Sequence, residues 1–187
     1  MIKFSSFLAT ILMGFCIHTF AADNLSSDSI YHVTSKWRTS ENKEIHLRDF
    51  SGNEVIMTMA YTGCTYTCPM TVAKLKEIEA DLKKRKISNY KIVVASFDPV
   101  RDTPNQLQKY MKDKKLDPAA WVFLSPLSDK EVRELAAVLG ITYSKDKTGE
   151  YGHSNVISLL DDSGVVRERV NGLAADHKAI VTRLAKK

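Results

Sequence analysis

Two cysteines, Cys64 and Cys68, stand four residues apart in the stretch Tyr61-Thr62-Gly63-Cys64-Thr65-Tyr66-Thr67-Cys68-Pro69-Met70. Thiolates attack disulfides and also bind soft metal ions, so two of them one helical turn apart can do either kind of work. An inert structural disulfide is the third reading of such a pair. Two cysteines are too few for an iron–sulfur cluster or a closed zinc site, so a metal reading needs another ligand. Met57, Met59 and Met70 are further soft groups. Met57 and Met59 share one face of a strand and read as core, and Met70 reads as helix packing. Asp98 either tunes the charge of the site or caps the turn at Pro99.

The elements around the pair come from hydrophobic periodicity and turn residues. Residues 44–47 alternate like a short strand, and residues 49–53 form a turn cluster. Residues 55–60 are a buried strand. Residues 67–86 are a helix with Val72, Leu75, Ile78, Glu79 and Leu82 on one stripe, and residues 91–97 are a second buried strand. Thr103 and Pro104 make an N-cap and first-turn pair for a helix to about residue 115. Residues 121–124 are a strand, and Ser128 to Glu131 is a capping box opening a helix that Gly140 closes. A polar loop over 144–152 precedes strands at 155–160 and 165–170, joined by a turn at 161–164. A helix over 174–185 ends the chain. The order β-α-β-α-β-α-β-β-α gives an α/β class: a thioredoxin-like fold with a central mixed β-sheet flanked by helices.

In that fold Pro69 suits the first helical position, which puts Cys68 at or next to the N-cap. There the unpaired N–H groups and the positive end of the helix dipole favour a thiolate. The loop before the penultimate sheet segment returns to the same helix entrance. Thioredoxins and peroxiredoxins carry a cis-proline there, whereas this chain has no proline after Pro126 and has Gly152-His153-Ser154 instead. An imidazole at that place could complete a trigonal Cys64–Cys68–His153 metal site; the alternative is a plain loop histidine. His32 near the N-terminal lead-in, His46 in an edge-like strand and His177 in the last helix read as surface histidines.

Residues 1–22 read as an export signal: Lys3, an apolar stretch from Phe4 to Phe20, and small residues at the cut. Cys16 lies inside it, and Phe15 stands where lipidation needs a small residue. A retained N-terminal anchor is the alternative. Either way the remaining chain faces an oxidising compartment, and the localisation expected is periplasmic. Residues 23–40 are a lead-in, its polar start over 23–29 flexible, and residues 41–187 are the single domain. The net charge of +5 is a mild excess. The basic run Lys83-Lys84-Arg85-Lys86 ends a helix, which suits its dipole. Nucleic acid is not an expected partner, because no basic and aromatic residues interleave.

Three segments resemble the SCO/SenC family of copper-binding, thioredoxin-fold proteins. They are Tyr61-Thr62-Gly63-Cys64 with Cys68-Pro69, Ser96-Phe97-Asp98-Pro99-Val100-Arg101-Asp102-Thr103-Pro104, and Gly152-His153-Ser154 with Leu160-Asp161-Asp162-Ser163-Gly164. The likeness runs from about residue 40 to the end. It implies copper, as Cu(I) or Cu(II), held by Cys64, Cys68 and His153. It also implies a part in assembling the dinuclear copper centre of cytochrome c oxidase, with subunit II or another exported thiol protein as receiver, or a part in periplasmic redox defence. Thr65 and Tyr66 stand where many members have proline and aspartate, and Gly152 where many have aspartate.

The leading expectation is therefore a metallochaperone rather than an enzyme. The alternative is a thiol–disulfide oxidoreductase cycling Cys64 and Cys68 as a redox-active pair. Peroxide reduction is a weaker third, since the approach to a peroxidatic cysteine is missing before Cys64.

Overall fold

The computed structural model describes residues 25–64 and 67–186; the expected export signal and Cys16 lie outside them. Within the described residues the chain first forms strands β1 (Lys36–Thr39), β2 (Glu44–His46) and β3 (Glu54–Ala60), then helix α1 (Thr67–Lys84). Strand β4 (Tyr90–Ser96), helix α2 (Pro104–Asp113), strand β5 (Trp121–Pro126) and helix α3 (Asp129–Leu139) follow. Strands β6 (Tyr143–Lys145), β7 (Tyr151–His153), β8 (Val156–Leu160) and β9 (Val166–Asn171) come next, and helix α4 (Lys178–Leu184) closes the series.

Seven strands form one sheet in the order β2-β1-β5-β4-β3-β8-β9, and β6 and β7 pair apart from it. β3, β4 and β5 are parallel, joined by α1 and α2, while β1, β8 and β9 pair antiparallel with their neighbours. This is the mixed sheet expected from the order of elements. Every residue of β3 is buried, Met57 and Met59 included, because both faces of a central parallel strand are covered. On α1 the apolar stripe holds: Val72, Leu75, Ile78 and Leu82 are buried. Glu79 at its edge reaches Lys83 at 2.8 Å. Each fully buried aliphatic of that stripe is worth about 1.5–3 kcal/mol against exposure.

The helix starts are set by caps. Thr103 accepts from the Gln106 N–H, and Ser128 accepts from the Lys130 N–H while its hydroxyl donates to Glu131 at 2.7 Å. Gly140 closes α3 at φ +70°. Two helices are shorter than periodicity suggests. α1 stops at Lys84, and Lys86 turns to a positive φ. α4 begins at Lys178, because Gly172 turns the chain at φ +87° and Asp176 caps the Lys178 N–H.

Three differences from the sequence reading matter. First, the lead-in belongs to the core: Ser29, Ile30, Tyr31 and Trp37 are buried, and β1 lies inside the sheet between β2 and β5. The expected boundary at residue 41 therefore falls within the sheet. Second, the polar loop at 144–152 contains most of the β6–β7 hairpin. Third, His177 is largely covered, its side chain 14% exposed, and its Nε2 lies 3.1 Å from Asp81 on α1. It ties the last helix to the first rather than facing solvent.

Candidate metal centre

The register of the sheet brings the three site segments together. β3 and β4 pair from Glu54↔Tyr90 to Ala60↔Ser96, so their carboxyl ends finish level. Tyr61 to Cys64 and Asp98 to Pro104 leave side by side. β8 runs against β3, with Val55↔Leu160 and Met57↔Ser158, so its first residues start at that same end. The Thr58 hydroxyl donates to the Val156 carbonyl at 2.7 Å and holds them there. His153, three residues before Val156, is thereby delivered to the entrance of α1.

Cys68 lies in the first turn of α1 and is 2% exposed; Cys64 is half-buried. The two are in the dithiol form. Each sulfur accepts a backbone N–H: Tyr61 donates to Cys68 Sγ and Cys68 donates to Cys64 Sγ, both at 3.4 Å. His153 Nε2 lies 3.8 Å from Cys68 Sγ. Its Nδ1 is 3.1 Å from the Ser154 carbonyl, which can only accept, so Nδ1 carries the proton. The Nε2 lone pair then faces the sulfur. Burial lowers the imidazole pKa, which favours the neutral, ligating form. The Phe97 ring backs the imidazole at 4.8 Å.

The helix entrance does not acidify Cys68 as the sequence suggests. Burial pushes its pKa up to about 12; the Tyr61 N–H opposes this and the Cys64 thiol adds to it. Taking the sulfur out of water costs the thiolate more than one N–H returns. A proton thus stays on Cys68 until something replaces it. Among the described residues no three His, Cys, Asp or Glu side chains are already drawn into the geometry of a metal site. The donors present nonetheless suit a soft ion: two sulfurs and one neutral imidazole, with the nitrogen lone pair turned inward.

Asp98 caps its turn. Its carboxylate accepts from the Val100 and Arg101 N–H groups at 3.0 Å each and pairs with the Arg101 guanidinium. Met70 is 45% exposed and not packed as expected. His32 and His46 contact the backbone carbonyls of Ser26 and Thr34, away from the cysteines.

Sequence reasoning missed the role of Asp102. It is fully buried beside a small cavity that Cys68, Leu107, Tyr110 and Phe123 also line. It accepts from Thr62 N at 3.0 Å, from Thr62 Oγ1 at 2.5 Å and from Ser96 Oγ at 2.5 Å. It pins the turn leading to Cys64 onto the end of β4. Burial raises its pKa despite those donors. The Asp98–Pro104 motif was visible in the sequence, but both of its aspartates are buried, and nothing in it says that Asp102 is the one that reaches Thr62.

The SCO1/SenC family model matches residues 31–187, from the first buried turn to the end of the chain. The chain belongs to the SCO1/SenC family. A curated relative, the SCO1 protein homolog of Bacillus subtilis, is 27% identical over 139 residues, covering 73% of this chain and 72% of its own. The solved SCO1/SenC family lipoprotein of Bacillus anthracis superposes with a TM-score of 0.75 at 20% identity, over 82% of this chain and 92% of its own. ScoI of Arabidopsis thaliana, solved with copper bound, gives 0.71 at 22% identity, over 81% and 94%. At such identities the structural likeness establishes the fold, which here is the thioredoxin-like fold of SCO1/SenC proteins.

Proposed function

We propose that this SCO1/SenC protein binds one copper ion through Cys64, Cys68 and His153 and hands it to a copper-receiving protein on the exported side of the cell. The observation that carries this reading is the His153 Nε2 lone pair facing Cys68 Sγ at 3.8 Å. A disulfide partner needs no such imidazole. In the metal reading copper is cargo. It displaces the thiol protons and draws Cys64 and His153 in around Cys68. Soft donors favour Cu(I), and closing the pair as a disulfide removes both sulfur ligands, so redox state gates loading. The likeness to copper-bound ScoI and to BsSco, a member of the Sco family of cytochrome c oxidase assembly proteins, supports cytochrome c oxidase subunit II as a candidate receiver. The apolar segment at residues 4–20 supports a periplasmic location.

The test is anaerobic copper titration of the reduced protein beside His153→Ala. One tightly held Cu(I) per chain, weakened at least about tenfold by the variant, is the expected result, since a ligand or its orienting partner is worth 10–100-fold in metal affinity. Binding that ignores His153 sinks the site.

The unequal exposure of the cysteines favours a second reading. Half-buried Cys64 can attack a client disulfide as its thiolate, forming a mixed disulfide and releasing one client thiolate. Cys68 then gives up its proton and displaces the second, so the client leaves as a dithiol and the pair closes as a disulfide, two electrons having passed. His153→Ala spares this exchange and not copper binding.

A further inference from the structure

His153 sits on a hairpin that the main sheet does not hold. Among the described residues β6 and β7 pair only with each other, Tyr143↔His153 to Lys145↔Tyr151. β8 anchors the chain three residues beyond His153, and what fixes the rest of the hairpin against the site is side chains. On the inner side Phe97 packs against Tyr143 at 5.2 Å, Tyr151 at 6.1 Å and His153 at 4.8 Å. Apolar contact of that kind holds the hairpin down but is non-directional, and does not fix how far it slides.

Direction comes from a polar cluster on the other side. Arg101 Nη1 donates to Glu150 Oε1 at 2.6 Å, and Nη2 donates to the Gly149 carbonyl at 2.7 Å. The Tyr61 hydroxyl donates to Glu150 Oε2 at 2.7 Å and accepts from the Tyr151 N–H at 3.3 Å. Arg101 is itself aimed by buried Asp98, and its guanidinium lies 5.4 Å from the Tyr61 ring centroid. Each of the three site segments supplies one member: Tyr61 from the cysteine turn, Arg101 from the loop after β4, Glu150 from the hairpin. Glu150 uses one oxygen for each partner, a forked arrangement that sets orientation as well as attraction.

We propose that Arg101, Glu150 and Tyr61 are a latch that positions the β6–β7 hairpin and so sets His153 over Cys68. They are positioning residues for the third metal ligand. The copper readout of this proposal rests on the function proposed above; the latch itself does not.

The test uses Glu150→Gln and Arg101→Lys in the full chain. Glu150→Gln keeps an acceptor for Tyr61 and removes the ion pair. Arg101→Lys keeps the charge and removes the fork. In reduced, metal-free protein, amides of residues 143–153 should exchange about three- to tenfold faster in both variants, the range one partly exposed charged hydrogen bond is worth, with β3 and β4 unchanged. Glu150→Gln should weaken Cu(I) binding by a similar factor, and by less than about twofold when His153 is already Ala, because a positioning effect vanishes with the group positioned. Unchanged hairpin exchange overturns the latch. So does equal copper loss in both backgrounds. If wild type holds no copper, the proposed function falls, and exchange alone decides the latch.

Discussion

The two cysteines differ by environment, not by type. Cys64 is half-buried, whereas Cys68 is 2% exposed with its pKa pushed up to about 12, so at pH 8 Cys68 stays almost wholly a thiol. Iodoacetamide at that pH should label Cys64 at least about tenfold faster than Cys68, as mass spectrometry of the digest would show; equal labelling contradicts the burial of Cys68. The two aspartates of the loop after β4 pull stability in opposite directions. Asp98 sits below the ordinary aspartate value: burial disfavours its charge, but the Arg101 and Val100 N–H groups and the guanidinium outweigh that. Its contribution is present above the ordinary range and lost as acid protonates it in the fold. Asp102 sits above that value, with burial as the main cause. The folded chain keeps this proton longer than the unfolded one, so stability falls as pH climbs from the ordinary aspartate value through the folded one. Asp102→Asn should remove that fall, which urea midpoints taken from about pH 3 to 7 will register. The types Cys64, Cys68 and His153 were legible in the chain. Asp102 was not, because its burial depends on Thr62, 40 residues earlier in sequence.

At the scale of elements, what the sequence shows best is anything with a strong period or a capping residue: β3, α1, β4, α2 and the β8–β9 hairpin. The β8–β9 turn is also where the N-terminal segment docks. Asp161 accepts from the Ser163 and Val165 N–H groups, and the Ser29 hydroxyl donates to the Ser163 carbonyl at 2.5 Å. Gly164 at φ +80° lies under Tyr31, and an added Cβ would meet that ring at 2.6 Å. Gly164→Ala should therefore cost about 2–4 kcal/mol, combining a left-handed backbone with an overpacked contact. Chemical denaturation measures it, and a cost under about 0.5 kcal/mol, the range of an ordinary surface substitution, would show that Tyr31 yields freely. The elements that escaped notice share one cause. β1, β6 and β7 are three or four residues long, too short to show a period, and β6 and β7 flank a polar loop. Their strand character comes from partners across the ladder, Leu124 to Pro126 for β1 and each other for β6 and β7.

Across the whole molecule, the core is closed by its first described residues. Trp37 is fully buried in β1, and Ile30 and Tyr31 are each 3% exposed. Losing one large aromatic from a core costs about 3–5 kcal/mol, against a total stability of about 5–15 kcal/mol for a domain. A chain starting at residue 41 loses all three and leaves β2 without β1, its one partner strand among the described residues. It should show no cooperative urea transition by circular dichroism, whereas a chain starting at residue 25 should keep one.

That early strand also has a history in time. β1 waits for β5, whose pairing residues Leu124 to Pro126 are made some two-thirds of the way along the chain, and β3 waits for β8, later still. Phe123 and His153, which help enclose Cys68, arrive after both cysteines have been made. A nascent chain thus carries Cys64 and Cys68 into solution as ordinary thiols, open to whatever oxidant or metal it meets on the way. Only when the chain folds around it does Cys68 become reluctant to give up its proton. The reactivity of the pair is therefore set by when the chain is met as well as by what it encodes.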